Sequence, residues 1–192
     1  MKKQLIFLLL TLAVKLTFGQ GFRVTLQAPG YKSGIAYLTY YMGGNLIIAD
    51  SAAVDNNGTA VFKGPVKLLP GIYVLVFPGK QLRTEFLVDK EQVITVKADI
   101  SDLVNKTFVT GSKENIPYQQ YQKFVASKGK FMETEKIAYM NSRTKADSSL
   151  HEKNYNAYNK LLNDYRENFI KTQPRSMLAV LLNAMKEPPT AA

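Results

Sequence analysis

Short β-rich segments, separated by turns that contain glycine or proline, fill the chain between Gln20 and Gly111. Pairs such as Pro29-Gly30 and Gly43-Gly44 mark the turns. No helical stretch lies between the segments to carry the crossover that parallel strands need, so the pattern predicts an antiparallel β-sandwich. The predicted strands are Phe22–Gln27, Ile35–Tyr41, Asn45–Val54, Thr59–Lys63, Ile72–Phe77, Thr84–Val88, Val93–Ala98 and Lys106–Val109.

Helical spacing replaces this pattern after Gly111. Asn115 is expected to cap a helix that carries Pro117 in its first turn and ends at Gly129. A longer helical stretch is predicted from about Glu133 to Thr172, with a break near Asp147–Ser149. The fold class is therefore α+β. Its predicted parts are a β-sandwich domain at 20–112, a helical region at 113–187 and a tail at 188–192.

The first nineteen residues have the layout of a secretory signal peptide. Lys2 and Lys3 precede the apolar run Leu5–Val14, and Gly19 stands before a cut at Gln20. No later stretch approaches the roughly 20 apolar residues of a membrane helix. The sequence predicts an exported protein, periplasmic or associated with the cell envelope, without an integral membrane segment after cleavage.

Composition excludes several kinds of chemistry. The chain has no cysteine, so disulfide and thiol chemistry are excluded. Of the 25 basic residues, 22 remain after the signal peptide against 15 acidic ones, and this net charge of +7 is spread along the chain. Such a pattern is typical of a solvated surface, so no nucleic-acid partner is expected. No catalytic motif, metal site or cofactor site is recognised, and the chain is not expected to be an enzyme.

The segment "DNNG" at Asp55–Gly58 partly matches the start of a calcium loop. The match fails because no Asp or Glu lies between Asp55 and Glu85, whereas an EF-hand needs a bidentate Glu at its twelfth position. Asn57 and Gly58 both tolerate positive φ, which is typical of a hairpin turn. We therefore predict a hairpin turn, with Asp50 and Asp55 as ordinary polar residues at strand edges.

The long helical stretch carries an aromatic stripe, His151, Tyr155, Tyr158, Leu162, Tyr165 and Phe169, at steps of four and three. Such a stripe is either a binding face for sugars or peptides or the packed face of a helix, and we favour packing. His151 is the only histidine and makes no metal site by itself. After Pro174 a short apolar helix is predicted to be the more exposed surface, with these candidate partner-binding residues: Met177, Leu178, Leu181 and Leu182.

Five segments carry a resemblance to a known family: "IADSAAVDNNGTAVFKG", "LLPGIYVLVF", "EFLVDKEQVITVKAD", "VTGSKENIPYQQY" and "FIKTQPRSMLAVLL". They resemble domain of unknown function 4369, an N-terminal domain of exported proteins of the Bacteroidota. The resemblance implies an accessory role beside a thioredoxin-like oxidoreductase domain with an active-site Cys-x-x-Cys. No such domain follows in this sequence, so redox activity is not implied. The chain is either a truncated member or a stand-alone version of the accessory region.

Asp50-Ser51-Ala52 resembles the O-glycosylation acceptor pattern of exported Bacteroidota proteins, which makes Ser51 a candidate modification site.

Three function classes remain open. The first is an exported, non-catalytic accessory module that binds a thioredoxin-like domain or another exported protein. The second is a stand-alone periplasmic protein that binds glycan or peptide, and the third is an enzyme of unrecognised type. We expect the first.

Overall fold

The computed structural model describes residues 21–186. The predicted signal peptide at 1–19 and the predicted tail at 188–192 lie outside the described residues. Within them, eight strands are followed by a helical region, which confirms the predicted α+β class. The strands are β1 (Phe22–Gln27), β2 (Ile35–Met42), β3 (Asn45–Ala53), β4 (Thr59–Gly64), β5 (Gly71–Val76), β6 (Arg83–Val88), β7 (Val93–Ala98) and β8 (Thr107–Thr110).

Two four-stranded sheets form the sandwich. The first sheet has the order β4-β1-β7-β8, and the second has the order β3-β2-β5-β6. Side chains alternate between the two faces of β7, because Ile94, Val96 and Ala98 are buried between the sheets whereas Val93 and Lys97 are exposed. The largest fully buried side chains of this core are Leu26, Leu38, Leu75, Phe62, Phe77 and Phe86.

One strand pair departs from the predicted antiparallel arrangement. β1 and β7 are parallel, with Val24 opposite Ile94 and Leu26 opposite Val96. A parallel pair needs a long crossover, which is usually a helix. Here the connection from β1 to β7 runs through strands of both sheets, including β2 and β6 of the second sheet. The strands between β1 and β7 provide the long connection that a helix usually provides. The lack of a helical stretch in this part of the sequence therefore did not exclude parallel pairing.

The predicted turn at Asp55–Gly58 is confirmed, but the prediction that it joins two paired strands of a hairpin is wrong. β3 pairs with β2 and β4 pairs with β1, so the turn carries the chain from one sheet to the other. Asp55 is more than an ordinary polar residue, because its Oδ1 accepts the N–H of Asn57 and of Thr59, both at 2.8 Å. Gly58 has φ +78°, which favours glycine.

Four helices lie in the described residues: α1 (Leu103–Lys106), α2 (Asn115–Asn141), α3 (Lys145–Thr172) and α4 (Met177–Ala184). α1 was not predicted. Gly129 lies inside α2, so the predicted helix end there is wrong, whereas the break predicted near Asp147–Ser149 occurs a few residues earlier, between Asn141 and Lys145. The true break precedes Thr144, whose side chain caps α3 by accepting the N–H of Asp147 at 3.2 Å. Glycine costs about 1 kcal/mol in a helix interior, and packing against α3 outweighs that cost.

α2 and α3 pack along each other through the aromatic stripe of α3. Tyr158 stacks on Phe131 with ring centroids 5.3 Å apart, and Tyr165 stacks on Phe124 at 4.5 Å. Leu162 and Phe169 are buried, as predicted for core positions. The stripe is therefore a packing face. Within residues 21–186, none of the helices has the length and apolarity that crossing a bilayer requires.

A second core joins the helices to the outer face of the second sheet. Leu87 points to this face, whereas its neighbours Phe86 and Val88 belong to the sandwich core. The buried residues of this second core are Leu87, Tyr118, Tyr121, Phe169, Leu178, Ala179 and Leu182. The start of α2, the end of α3 and one face of α4 thus meet β6 in one place.

Candidate functional site

An apolar cleft of about 510 Å³ lies where β6, α1, α2 and α4 meet. Val104 of α1, Val125 of α2 and Leu181 of α4 supply apolar walls, and Met185 lies at the rim after α4. Ligand-binding clefts in proteins typically hold roughly 300–1,000 Å³ and combine apolar walls with a few polar groups. This cleft meets both conditions, because charged side chains from β6 and α3 also line it.

Glu85 of β6 is the acidic group in this cleft. Its Oε1 accepts the hydroxyl of Tyr41 at 2.7 Å, and its Oε2 accepts the hydroxyl of Tyr118 at 2.9 Å. Burial, followed by the charge of Glu85, raises the pKa of Tyr118 far above its usual range. The hydrogen bond to Glu85 is the main cause that raises the pKa of Tyr41. Both phenols therefore stay protonated at neutral pH and hold the carboxylate in one position.

Two arginines also line the cleft. Arg166 of α3 donates from Nε to the hydroxyl of Tyr121 at 2.9 Å, and its guanidinium lies 5.9 Å from the centre of that ring. Arg83 is exposed at the start of β6. Within residues 21–186, neither arginine nor Glu85 makes an ion pair shorter than 4.0 Å. The charges are thus available to a bound molecule.

The first turns of α2 bond the edges of both sheets. Asn115, fully buried, donates from Nδ2 to the carbonyl of Leu87 and accepts the Leu87 N–H, both at 2.7 Å. One helical turn later, Gln119 donates to the carbonyl of Thr107 at 2.6 Å and accepts the Val109 N–H at 3.1 Å. The predicted capping role of Asn115 is wrong, because Glu114 occupies the cap position and the Asn115 side chain is used on β6.

The predicted partner surface on α4 is largely buried. Leu178 is 1 % exposed and Leu182 is 2 % exposed, and both pack in the second core with half-buried Met177 and Leu181. The reason is the turn after Pro174, where the side chain of Glu114 accepts the N–H of Met177 at 2.8 Å and fixes α4 on α2. The expectation that α4 is the more exposed apolar surface is therefore wrong. Leu181 nevertheless lines the cleft.

The other singled-out residues lie away from the cleft. Ser51 is exposed on β3, and its N–H bonds the side chain of Asp50 at 2.8 Å. His151 of α3 contacts Glu135 of α2 through Nδ1 at 2.7 Å and Asp147 through Nε2 at 3.5 Å. The two carboxylates face opposite ring nitrogens and cannot share one ion with the ring. Among residues 21–186, no group of three or more possible ligands is arranged for a metal ion.

Sequence reasoning missed the polar residues that line the cleft, namely Glu85, Tyr118 and Arg166. Their spacing carries no recognisable motif, because they come from one strand and two helices. The one available signal was Glu85, an acidic residue in a strand that is otherwise apolar from Phe86 onward.

The fold is that of an eight-stranded β-sandwich whose second sheet carries a helical layer with an apolar cleft at its edge. The sequence model of one family, described as "Domain of unknown function (DUF4369)", matches residues 22–118. The chain belongs to this family, and the match includes all eight strands and Asn115 at the start of α2. A comparison with curated proteins finds no match.

Proposed function

We propose that this protein is an exported, non-catalytic accessory module that binds another protein through the cleft beside β6. Membership of the family supports this role, because the resemblance noted above links such domains to thioredoxin-like oxidoreductases of the Bacteroidota. The partner is then a thioredoxin-like domain or another exported protein. The observation that carries the proposal is the cleft itself, about 510 Å³ of mainly apolar space between the sandwich and the helices.

The chemistry of the cleft supports binding in preference to catalysis. Tyr41 and Tyr118 stay protonated at neutral pH, because their pKa values are raised, and both hydroxyls donate to Glu85. Neither phenol is therefore suited to act as a base at neutral pH. Glu85 accepts both hydroxyls and is held rigidly in place. A fixed carboxylate among apolar walls is suited to orient a bound chain.

Stand-alone binding of a glycan or peptide is the second candidate. The observation that favours it is the combination of Tyr118, Gln122 and Arg166 in one cleft, because aromatic and hydrogen-bonding groups together recognise such ligands. The coding sequence after Ala192 separates the two. An in-frame Cys-x-x-Cys would favour the accessory role, and an immediate stop codon would favour the stand-alone role.

Site-specific photo-crosslinking in the native host tests the accessory role. A photoreactive phenylalanine analogue replaces Val104 or Met185 at the cleft, and Ile137 on the outer part of α2 is the matched exposed control. We expect crosslinks to an exported protein from the two cleft positions and none from Ile137. Equal crosslinking from all three positions, or none from the cleft, would contradict the proposal.

Export is tested separately by mass spectrometry of the periplasmic fraction. We expect the product to begin near Gln20. Recovery of a membrane-bound product that retains Met1 to Phe18 would contradict export.

A further inference from the structure

We propose that the partner contributes an extended peptide segment that adds as a strand to the open edge of β6 at Arg83–Glu85. The inference rests on the proposed function and specifies how the cleft recognises its partner. β6 is the last strand of the second sheet, with β5 on one side and no strand on the other within the described residues.

Backbone direction shows which groups of β6 are open. In a strand, the N–H and C=O of one residue point to the same side, and successive residues alternate. Leu87 directs both groups away from β5, because both bond the side chain of Asn115. Glu85 and Arg83 lie two and four residues before Leu87 in the same strand, so their N–H and C=O groups also point away from β5. Within residues 21–186, these backbone groups make no hydrogen bond to a side chain or a turn.

The other edges do not offer the same site. Gln119 already occupies the edge of β8. β3 contains a bulge, where Leu38 pairs with Asp50 but Thr39 pairs with Ile48, and bulges interrupt the regular ladder that an added strand needs. Neither β3 nor β4 contributes a residue to the cleft. The stretch Arg83–Glu85 combines free backbone groups with an apolar cavity.

These features specify an extended peptide as the occupant. An added strand would pair its backbone with Arg83 and Glu85, which gives affinity without a sequence requirement, and its side chains would supply specificity. The residue opposite Glu85 lies on the helix side of the sheet, where the carboxylate favours a basic side chain. An apolar side chain two residues away on the added strand lies on the same face, where it fits against Val104 and Leu181. Asn115 at Leu87 limits the added strand to a few residues.

A proline variant isolates the backbone contribution. Arg83→Pro removes an N–H that points away from β5, and proline is tolerated at such edge positions. Arg83→Ala removes the side chain and keeps the N–H, which makes it the matched control. The probe is a dodecapeptide selected from a random phage-displayed library on the protein spanning residues 20–192. We expect Arg83→Pro to bind the peptide at least tenfold more weakly than Arg83→Ala, because both variants lack the arginine side chain and only Arg83→Pro also lacks the N–H.

Methylation of the peptide backbone provides a second measurement on the unaltered protein, in case Arg83→Pro does not fold. We expect N-methyl groups at alternate peptide residues to abolish binding and those at the intervening residues to be tolerated. Tolerance at every position, or failure to select any peptide, would overturn the proposal.

Other occupants of the edge have distinct outcomes. A dimer that Arg83→Pro dissociates, without peptide binding, would assign the edge to a second copy and overturn the proposal. If truncation after Lys186 raises peptide affinity more than tenfold, the edge of β6 would be assigned to the chain's own tail, and the proposal would be overturned. Crosslinking from Val104 that persists in Arg83→Pro would leave the accessory role intact while refuting strand addition.

Discussion

The side chain of Asn115 pairs with the backbone of Leu87 as a neighbouring strand would, donating one hydrogen bond and accepting another, each at 2.7 Å. Both residues are fully buried, so neither backbone group has water as an alternative partner. This pair joins the helical region to the second sheet at the point where the open edge of β6 ends.

Replacement of Asn115 by Leu should destabilise the protein by about 3 kcal/mol. The change leaves the N–H and C=O of Leu87 buried without partners, and each such group costs roughly 1–3 kcal/mol. Urea unfolding measures the loss, and Gln120→Leu is the control because Gln120 is exposed on the same helix. Equal stability of the two variants would show that the edge does not need this amide.

Replacement of Gly58 by Val should cost well over 1 kcal/mol, because Gly58 has positive φ and a Cβ there would collide with the carbonyl oxygen of Ala28. Gly43→Val tests the backbone alone, since Gly43 also has positive φ but lies in open space. Thermal unfolding should rank the Gly58 variant below the Gly43 variant.

The same turn should show no calcium dependence. Asp55 uses its Oδ1 on the N–H groups of Asn57 and Thr59, and the twelfth-position Glu of a calcium loop is missing. Melting curves recorded with calcium and with a chelator should coincide. A rise of many degrees in the presence of calcium would refute the structural role of Asp55.

Phe169→Ala should cost about 3–5 kcal/mol, the usual loss for a large aromatic side chain in a core. Phe169 packs in the second core beside Tyr165, with ring centroids 6.5 Å apart. Leu161→Ala on the same helix is the control, because Leu161 is exposed. Leu181→Ser, at a half-buried position, should fall between them in denaturant unfolding. A large loss of stability for Leu181→Ser with none for Phe169→Ala would move the proposed partner-binding surface from the cleft to the aromatic stripe of α3.

Acid should weaken the contact between α2 and α3 through Glu135. Hydrogen bonding from His151 is the main cause that holds the pKa of Glu135 below its ordinary value of 4.5. Because the pKa of Glu135 is lower in the folded state, its carboxylate stabilises the fold above pH about 4.5. This stabilisation is lost as the pH falls through the lowered pKa. NMR titration of the Glu135 carboxyl should show its pKa rising toward the ordinary value in His151→Ala. Glu133→Gln, at an exposed neighbour, should leave that titration unchanged.

Local pattern determined much of this protein. The eight strands, the packed stripe of α3 and the turn at Asp55–Gly58 were all readable, because side-chain period and turn chemistry depend on residues close in sequence. Confirmed core positions such as Leu162 and Phe169 follow from the same periodicity.

Tertiary structure alone decided which elements meet. The parallel pairing of β1 with β7 and the crossing of the Asp55 turn between sheets depend on partners far apart in the chain, and no local period encodes them. Gly129 stays helical because α3 packs along α2 and outweighs the low helix propensity of glycine. Asn115 has the sequence signature of a cap, yet the buried edge of Leu87 uses its amide. The cleft exists because folding brings Glu85, Tyr118 and Arg166 together from a strand and two helices, so only long-range packing could create it.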